Sequence, residues 1–449
     1  MFLKKLMAMF TAAFYITPHI GGTGRGDAST GYTSGVQDSQ VGFGFDKQLF
    51  MEARARTIIG ALSRDGAGGG AVNDMYAGAG PSLDGSAVIR RKQITEGGYF
   101  KYSIQEHMVG MPTYGDAPHN PGDYLDWKNI YAYVNRIKSP AIPIQGEQVQ
   151  QRIKMSIENI PSRAKTEVIE WCAEQMEIEF LNAILYSASP SILKAGAELN
   201  FSPGVNAGAG VGVPLMNKHF YTKAGGMLTY STTPATFNTT VNNAINSMTS
   251  SSSSTIALGD LQYIRSYMDD QKFFPVKLNG KKYKSIALCD SELWHRLKNL
   301  MGSGFQYAQP RGWDSPLYGV DYVLEYDGFL FIPVPNLKKL RPAYSAANGY
   351  PTFGPGMNSD LRTYTPSGYE AMIIFVGMDA VFEGYNNSIK VKTNEGKFGD
   401  GMDIAADMDL GYVRGEWYSK TGRTDDNAVK NYSTVVGVWY EPGVGQSYT

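Results

Sequence analysis

The side chains that could carry chemistry are scattered in this chain, and their spacing suits none of the common reactions. The five histidines, His19, His107, His119, His219 and His295, form neither HxH nor HxxxH, so no pair has metal-ligand spacing. Glu106-His107 sets a carboxylate beside an imidazole on a strand-like stretch and reads as a surface or interface pair rather than an acid/base dyad. Asp400, Asp403, Asp407 and Asp409 could attract a hard cation, but they fail the EF-hand pattern and read as a solvated turn flanking a strand. Neither Gly22-Thr23-Gly24-Arg25-Gly26 nor Gly68-Gly69-Gly70 follows a strand and opens a helix, as a phosphate-binding loop does. Arg25-Gly26-Asp27 matches a cell-adhesion tripeptide, a match short enough to arise by chance. Cys172 and Cys289 are the only cysteines, each in apolar text, and read as buried free thiols. These residues point to no catalytic, cofactor or metal site, and the chain reads as a non-enzyme.

Charge is arranged more suggestively. Glu167, Glu170, Glu174 and Glu177 recur at helical spacing, roughly 200° from an apolar series of Ile169, Cys172, Ala173, Met176, Phe180 and Ile184. Carboxylates in this register repel mildly, so basic groups of this or another chain are expected opposite them. Arg90-Arg91-Lys92 is the densest basic run, with three readings open: nucleic acid, a neighbour's carboxylates, or a solvated strand edge. Tyr114 and Asp116 sit in a Pro/Gly-marked loop tip containing Pro112, Pro118 and Pro121. These nine residues are the candidates for contact between subunits.

The elements that must carry them follow from pattern. The acidic series lies on a predicted helix over 162–188, free of Gly and internal Pro and about 40 Å long at about 1.5 Å per residue. Asp46 reads as the N-cap of a helix through Ser63 with Met51, Ala55, Ile58 and Leu62 on one face. Strand-like pieces occupy 88–94, 99–109 and 130–137, two long arms and a tip that form an excursion without a core of its own. Residues 189–255 lack periodicity, end in Ser250–Ser254, and are expected as loops carrying an insertion. Leu258, Leu261, Ile264 and Met268 predict a helix, Asn279-Gly280 a hairpin, and Asp290 the cap of a helix bearing Leu293, Trp294, Leu297 and Leu300. Strands close the chain at 371–382, 388–393, 411–418 and 433–440. Helices and strands without a βαβ rhythm predict an α+β fold.

Composition excludes some roles. With 41 basic and 42 acidic residues, bulk positive charge cannot hold nucleic acid. Charged residues make up 18 %, below the roughly 25 % average, while Gly and Tyr are abundant, as suits a surface covered by neighbouring copies. Lys4 and Lys5 before the apolar run Leu6–Ile16 imitate a secretory signal, but Thr17-Pro18-His19 supplies no small-x-small cleavage site. The run is expected as an amphipathic arm, followed by a flexible Gly/Ser/Thr-rich stretch over 17–44. A secreted β-rich binding protein is the alternative. No later apolar run approaches the roughly 18 residues of a membrane span, and no membrane contact is expected.

The order of parts resembles the major capsid proteins of tailed bacteriophages, of the HK97-like fold. Gln48-Leu49-Phe50-Met51-Glu52-Ala53-Arg54-Ala55-Arg56-Thr57 is similar to the arm helix of the coat proteins of large-genome podoviruses, and Trp171-Cys172-Ala173-Glu174-Gln175 to their mid-spine text. Pro316-Leu317-Tyr318-Gly319-Val320 with Tyr326-Asp327-Gly328, then Ala371-Met372-Ile373-Ile374-Phe375-Val376-Gly377, resemble later passages of the family. The resemblance covers roughly 45–440, and the long 189–255 stretch departs from it. It implies an N-terminal arm (1–86), an extended loop (87–146), a peripheral domain (147–255 and 369–449, with spine helix 162–188) and an axial domain (256–368). It further implies a shell of hexamers and pentamers, built in the host cytoplasm and found in the virion capsid. Portal, scaffold or decoration proteins and weakly held double-stranded DNA would be its partners. A shell protein of a bacterial nanocompartment is a variant of the same reading.

Overall fold

The computed structural model describes residues 53, 57, 62–65, 88–93, 99–105, 127–145, 160–186, 217–230, 234–248, 255–278, 281–301, 324–339, 369–395, 401–418 and 429–441. The arm 1–44, most of the expected helix 46–63, and the loop tip with Tyr114 and Asp116 lie outside the described residues. The chain divides into two compact units, one of 1–53, 138–172 and 387–408, the other of 54–137, 173–386 and 409–449.

Helix α1, Ile160–Tyr186, falls within two residues of its expected bounds at each end. Before it come β1 (Ser63–Asp65), β2 (Ile89–Gln93), β3 (Tyr99–Gln105), β4 (Trp127–Tyr133), β5 (Asn135–Lys138) and β6 (Ile142–Gln145). β3 and β4 form an antiparallel ribbon, Tyr99 opposite Tyr133 through Gln105 opposite Trp127, that pairs with no other described strand. Of the stretch expected as an extended excursion, β2 instead joins β1 and β15 in another sheet.

The stretch expected as loops contains structure. β7 (His219–Thr222) and β8 (Gly226–Thr229) form a hairpin, followed by α2, Pro234–Asn246. Gly226 takes φ +67° in the turn, where an L side chain would be strained. The α2 text, rich in Thr and Asn, has poor helix propensity. Burial overrides it: Phe237, Val241 and Ile245, one turn apart, are all buried.

α3 (Leu258–Asp270), β9 (Val276–Leu278), β10 (Lys281–Tyr283), β11 (Ser285–Cys289) and α4 (Ser291–Met301) follow as expected, β9 and β10 as an antiparallel pair. Asp290 caps α4, its carboxylate accepting from Glu292 N at 3.2 Å. Leu300 differs from expectation, standing 41 % exposed. At the start of α3, the buried Asp260 carboxylate gathers four donors. Oδ1 accepts from Tyr221 Oη at 3.0 Å and Lys223 Nζ at 2.6 Å; Oδ2 accepts from Ala257 N at 3.0 Å and Trp439 Nε1 at 3.1 Å.

β12 (Leu324–Tyr326) and β13 (Phe329–Pro333) are joined by Asp327 and Gly328, both at positive φ, in the manner of a type I′ turn. A 3-10 turn, Pro335–Lys339, precedes β14 (Tyr369–Val376), β15 (Val381–Glu395), β16 (Gly401–Arg414), β17 (Trp417–Tyr418), β18 (Val429–Lys430) and β19 (Thr434–Glu441). A seven-stranded sheet runs β12-β13-β11-β14-β19-β7-β8. One face packs Ala287, Phe331, Ile373, Phe375 and Trp439 against Leu261, Ile264 and Met268 of α3 and Leu293, Trp294 and Leu297 of α4. On the opposite face Leu288, Ile332, Met372, Ile374, Val436 and Val438 are buried as well. Strands buried on both faces need continuous apolar text, which is what 371–376 supplies.

Strands 369–376 and 434–441, expected in the peripheral domain, thus share a sheet with 285–289 and 329–333 of the expected axial domain. The physical reason is that such two-faced strands belong at the centre of a sheet. In the smaller unit, β6 pairs antiparallel with the start of β16, and Ser139 and Ala406 exchange two hydrogen bonds of 2.7 Å. In the larger one, β2 lies parallel to both β1 and the start of β15.

Candidate assembly surfaces

Along α1 the acidic series divides. Glu167 and Glu170 are exposed, whereas Glu174 and Glu177 are half-buried. Burial raises the Glu177 carboxyl above its ordinary value, against a lowering hydrogen bond from Asn336 of the 3-10 turn. From Ile178 to Leu185 every residue is buried, including Glu179 and Asn182, so the two-faced pattern holds only for the first half of the helix. Ile178, Phe180, Leu181, Ala183, Ile184 and Leu185 are apolar around the whole circumference, and Phe180 meets the edge of Tyr412 at 6.1 Å. Asn182 is satisfied locally, donating to Ile178 O at 3.0 Å.

The end of α1 is held by residues that its own sequence does not announce. The last carbonyls of a helix lack intrahelical partners. Here Ile184 O accepts from Arg414 Nη1 at 2.6 Å and from Asn217 Nδ2 at 3.2 Å. Arg414 is buried, its guanidinium clasped by Glu416 at 2.6 Å and 2.7 Å. A cation at a helix C-terminus also complements the macrodipole. Residues 184, 217, 414 and 416 are far apart in sequence, and the one local cue is a lone arginine ending the apolar run Leu410-Gly411-Tyr412-Val413.

The basic run is engaged within the larger unit. Arg90 Nε lies 2.5 Å from Asp379 Oδ1. Burial raises the Asp379 carboxyl, and Arg90 opposes that shift. Arg91 is buried with its guanidinium 5.8 Å from the centre of the Tyr385 ring. Lys92 is in register with Gly384 of β15.

The Asp series is no solvated turn. Asp403, Asp407 and Asp409 lie within the strand β16, Asp407 is buried, and Asp409 pairs with Arg136 at 3.0 Å. Asp400 lies outside the described residues. Among the described residues no group of acidic, His or Cys side chains could hold a metal ion. Cys172 and Cys289 are free and buried; burial pushes the Cys172 thiol up to about 12 and raises that of Cys289. His295 is exposed and His219 buried. No described helix is long and apolar enough to cross a membrane.

No protein-family model and no curated protein matches this sequence. Solved structures do. The capsid of Ralstonia phage GP4 superposes over 80 % of this chain and 89 % of its own, with 13 % identity and a TM-score of 0.50. The capsid of cyanophage Pam1 covers 80 % and 92 % with 17 % identity and a TM-score of 0.47. The head of Helicobacter pylori bacteriophage KHP40 covers 86 % and 90 % with 11 % identity and a TM-score of 0.45. The chain therefore has the α+β fold of HK97-like capsid proteins.

Proposed function

We propose that this chain is the major capsid protein of a tailed bacteriophage, a structural, non-enzymatic subunit that associates with copies of itself into an icosahedral shell. The observation that carries the reading is the superposition on the Ralstonia phage GP4 capsid over 80 % of this chain and 89 % of that one. The β3–β4 ribbon supports it. Its register sets Phe100 opposite Ala132, Tyr102 opposite Ile130 and Ile104 opposite Lys128, with no third strand beside them among the described residues. A two-stranded ribbon is marginal alone and gains from a partner surface. The ribbon is the loop that would overlap a neighbouring subunit, and hexamers and pentamers would form around the body that carries the seven-stranded sheet. Glu167 and Glu170, exposed on α1, are the strongest of the acidic candidates for contact with a neighbour. Portal, scaffold or decoration proteins and weakly bound double-stranded DNA complete the partners, with assembly in the host cytoplasm.

Electron microscopy of the purified protein tests the reading. Closed shells are the expected result; small discrete particles under all assembly conditions would overturn it.

A further inference from the structure

We propose that His219 is an acid-operated latch on the end of the long helix α1: its neutral ring completes a buried hydrogen-bond chain reaching the Ile184 carbonyl in the helix's last turn, and a proton on the ring breaks that chain locally. The tautomer follows from the partners. Nε2 lies 2.8 Å from the main-chain oxygen of Asn431, and a carbonyl can only accept, so Nε2 carries the hydrogen. Nδ1 is then bare and accepts the Tyr267 hydroxyl at 2.7 Å. The rings of Tyr267 and Phe273 meet the imidazole edge-on at 5.6 Å and 5.1 Å and fix its plane.

From His219 two routes run to α1, the first from the ring through Asn431 and the second from the residue's own main-chain N–H. Asn431 Nδ2 donates to Glu416 Oε1 at 3.2 Å, and Glu416 holds Arg414, which donates to Ile184 O. Asn431 Oδ1 takes the backbone N–H groups of Ser433 and Thr434, both at 3.0 Å, which sets the entry into β19. By the second route, Asn217 Oδ1 accepts His219 N at 3.1 Å, while its Nδ2 donates to Thr434 Oγ1 at 2.8 Å and to Ile184 O. Every link has a direct distance, and the residues lie in one unit of the fold.

A proton has no place here. Nδ1–H would point at a hydroxyl that now donates to it, and His219 is only 3 % exposed. The charged groups that face the ring are Lys218 beside it and Arg414 of β16, both cations; Tyr267 of α3 is neutral. Glu416 is already held by Arg414 and Asn431. Burial first, then Lys218 and Arg414, hold the ring down at about 3 from an ordinary 6.5, against the raising effect of the Asn431 bond. The sign follows. Above 6.5 closed and open forms are both neutral and the latch stays shut. As pH falls from 6.5 towards about 3, only the open form takes up the proton, and opening gains about tenfold per pH unit.

Hydrogen exchange of the unassembled subunit, corrected for the intrinsic pH dependence, reads the latch directly. On going from about pH 7.5 to about pH 4, amides of 182–186 and 431–434 should exchange roughly 300-fold faster while those of β11 and β14 stay protected. His219→Gln keeps a donor for Asn431 O and an acceptor for Tyr267 but cannot be protonated, so it should remove the acid response. An undiminished response in His219→Gln, or exchange that rises uniformly through β11 and β14, would overturn the proposal. Should that variant not fold, Tyr267→Phe decides: with the hydroxyl gone, Nδ1 can take the proton in the closed form as well, so the acid gain in exchange should shrink, and an undiminished gain overturns the latch.

Discussion

Asp260 offers a test in which two substitutions of similar size should behave differently. Its four donors divide by chemistry. Ala257 N–H and the Trp439 indole N–H at Oδ2 can only donate, whereas the Tyr221 hydroxyl at Oδ1 can also accept, and Lys223 is 24 % exposed and can turn to water. In Asp260→Asn the amide can therefore set its oxygen at the Oδ2 position and its NH2 towards Tyr221. Only the bond to Lys223 is lost, at a cost of about 1–2 kcal/mol because that ammonium is recovered by solvent. In Asp260→Ala the buried Trp439 N–H loses its only acceptor at about 1–3 kcal/mol and the half-buried Ala257 N–H loses its cap at about 1 kcal/mol, so about 3 kcal/mol is expected beyond the Lys223 bond. Urea unfolding of the unassembled subunit, followed by tryptophan fluorescence, measures both. Equal losses for the two variants would refute the reasoning, since the carboxylate would then act through charge or volume rather than through the geometry of its acceptors.

Phe180→Ala removes a fully buried ring that packs on Tyr412 and should cost about 3–5 kcal/mol in the same assay, whereas Glu170→Gln on the exposed side should cost under about 0.5 kcal/mol. Replacing 114–123 with a short Gly/Ser turn should leave thermal unfolding unchanged and abolish shells; normal shells by sedimentation would show that the loop is dispensable. Reversing Glu167 and Glu170 to Lys should slow assembly without lowering the subunit's melting temperature, with the wild-type rate falling as salt shortens the screening length from about 10 to about 3 Å. Light scattering follows this, and identical kinetics at low and high salt would mark those residues as a plain solvated face.

What could be read in advance depended on how local the signal was. α1, α3, α4 and the β9–β10 hairpin each announce themselves within a dozen or so residues, by periodicity, by a capping Asp or by Asn-Gly. α2 was legible in principle from Phe237, Val241 and Ile245, but its Thr/Asn-rich text masked the period. Two-faced amphipathicity was over-read for α1, because the second half of that helix is wrapped on all sides by its own unit. The run Arg90-Arg91-Lys92 suggested an outward-facing charge, yet Asp379 and Tyr385, nearly 300 residues away, engage its first two members. The clasp on Ile184 and the environment of His219 were illegible for the same reason: Asn217, Arg414, Glu416 and Asn431 meet only once the sheet has formed.

The strand order of the seven-stranded sheet has a consequence for synthesis. β19 sits between β14 and β7, so without residues 434–441 the sheet falls into a four-stranded piece, β12-β13-β11-β14, and a lone hairpin, β7-β8. Ribosomes deliver about 5–20 residues per second, and pairings this distant in sequence form slowly. A nascent chain therefore carries two unsealed apolar sheet edges until residue 441 has emerged, and any product cut short before Thr434 never closes them. Completion of the sheet reports that translation has passed this point, so the fold itself separates near-complete subunits from truncated ones before either could be added to a larger structure.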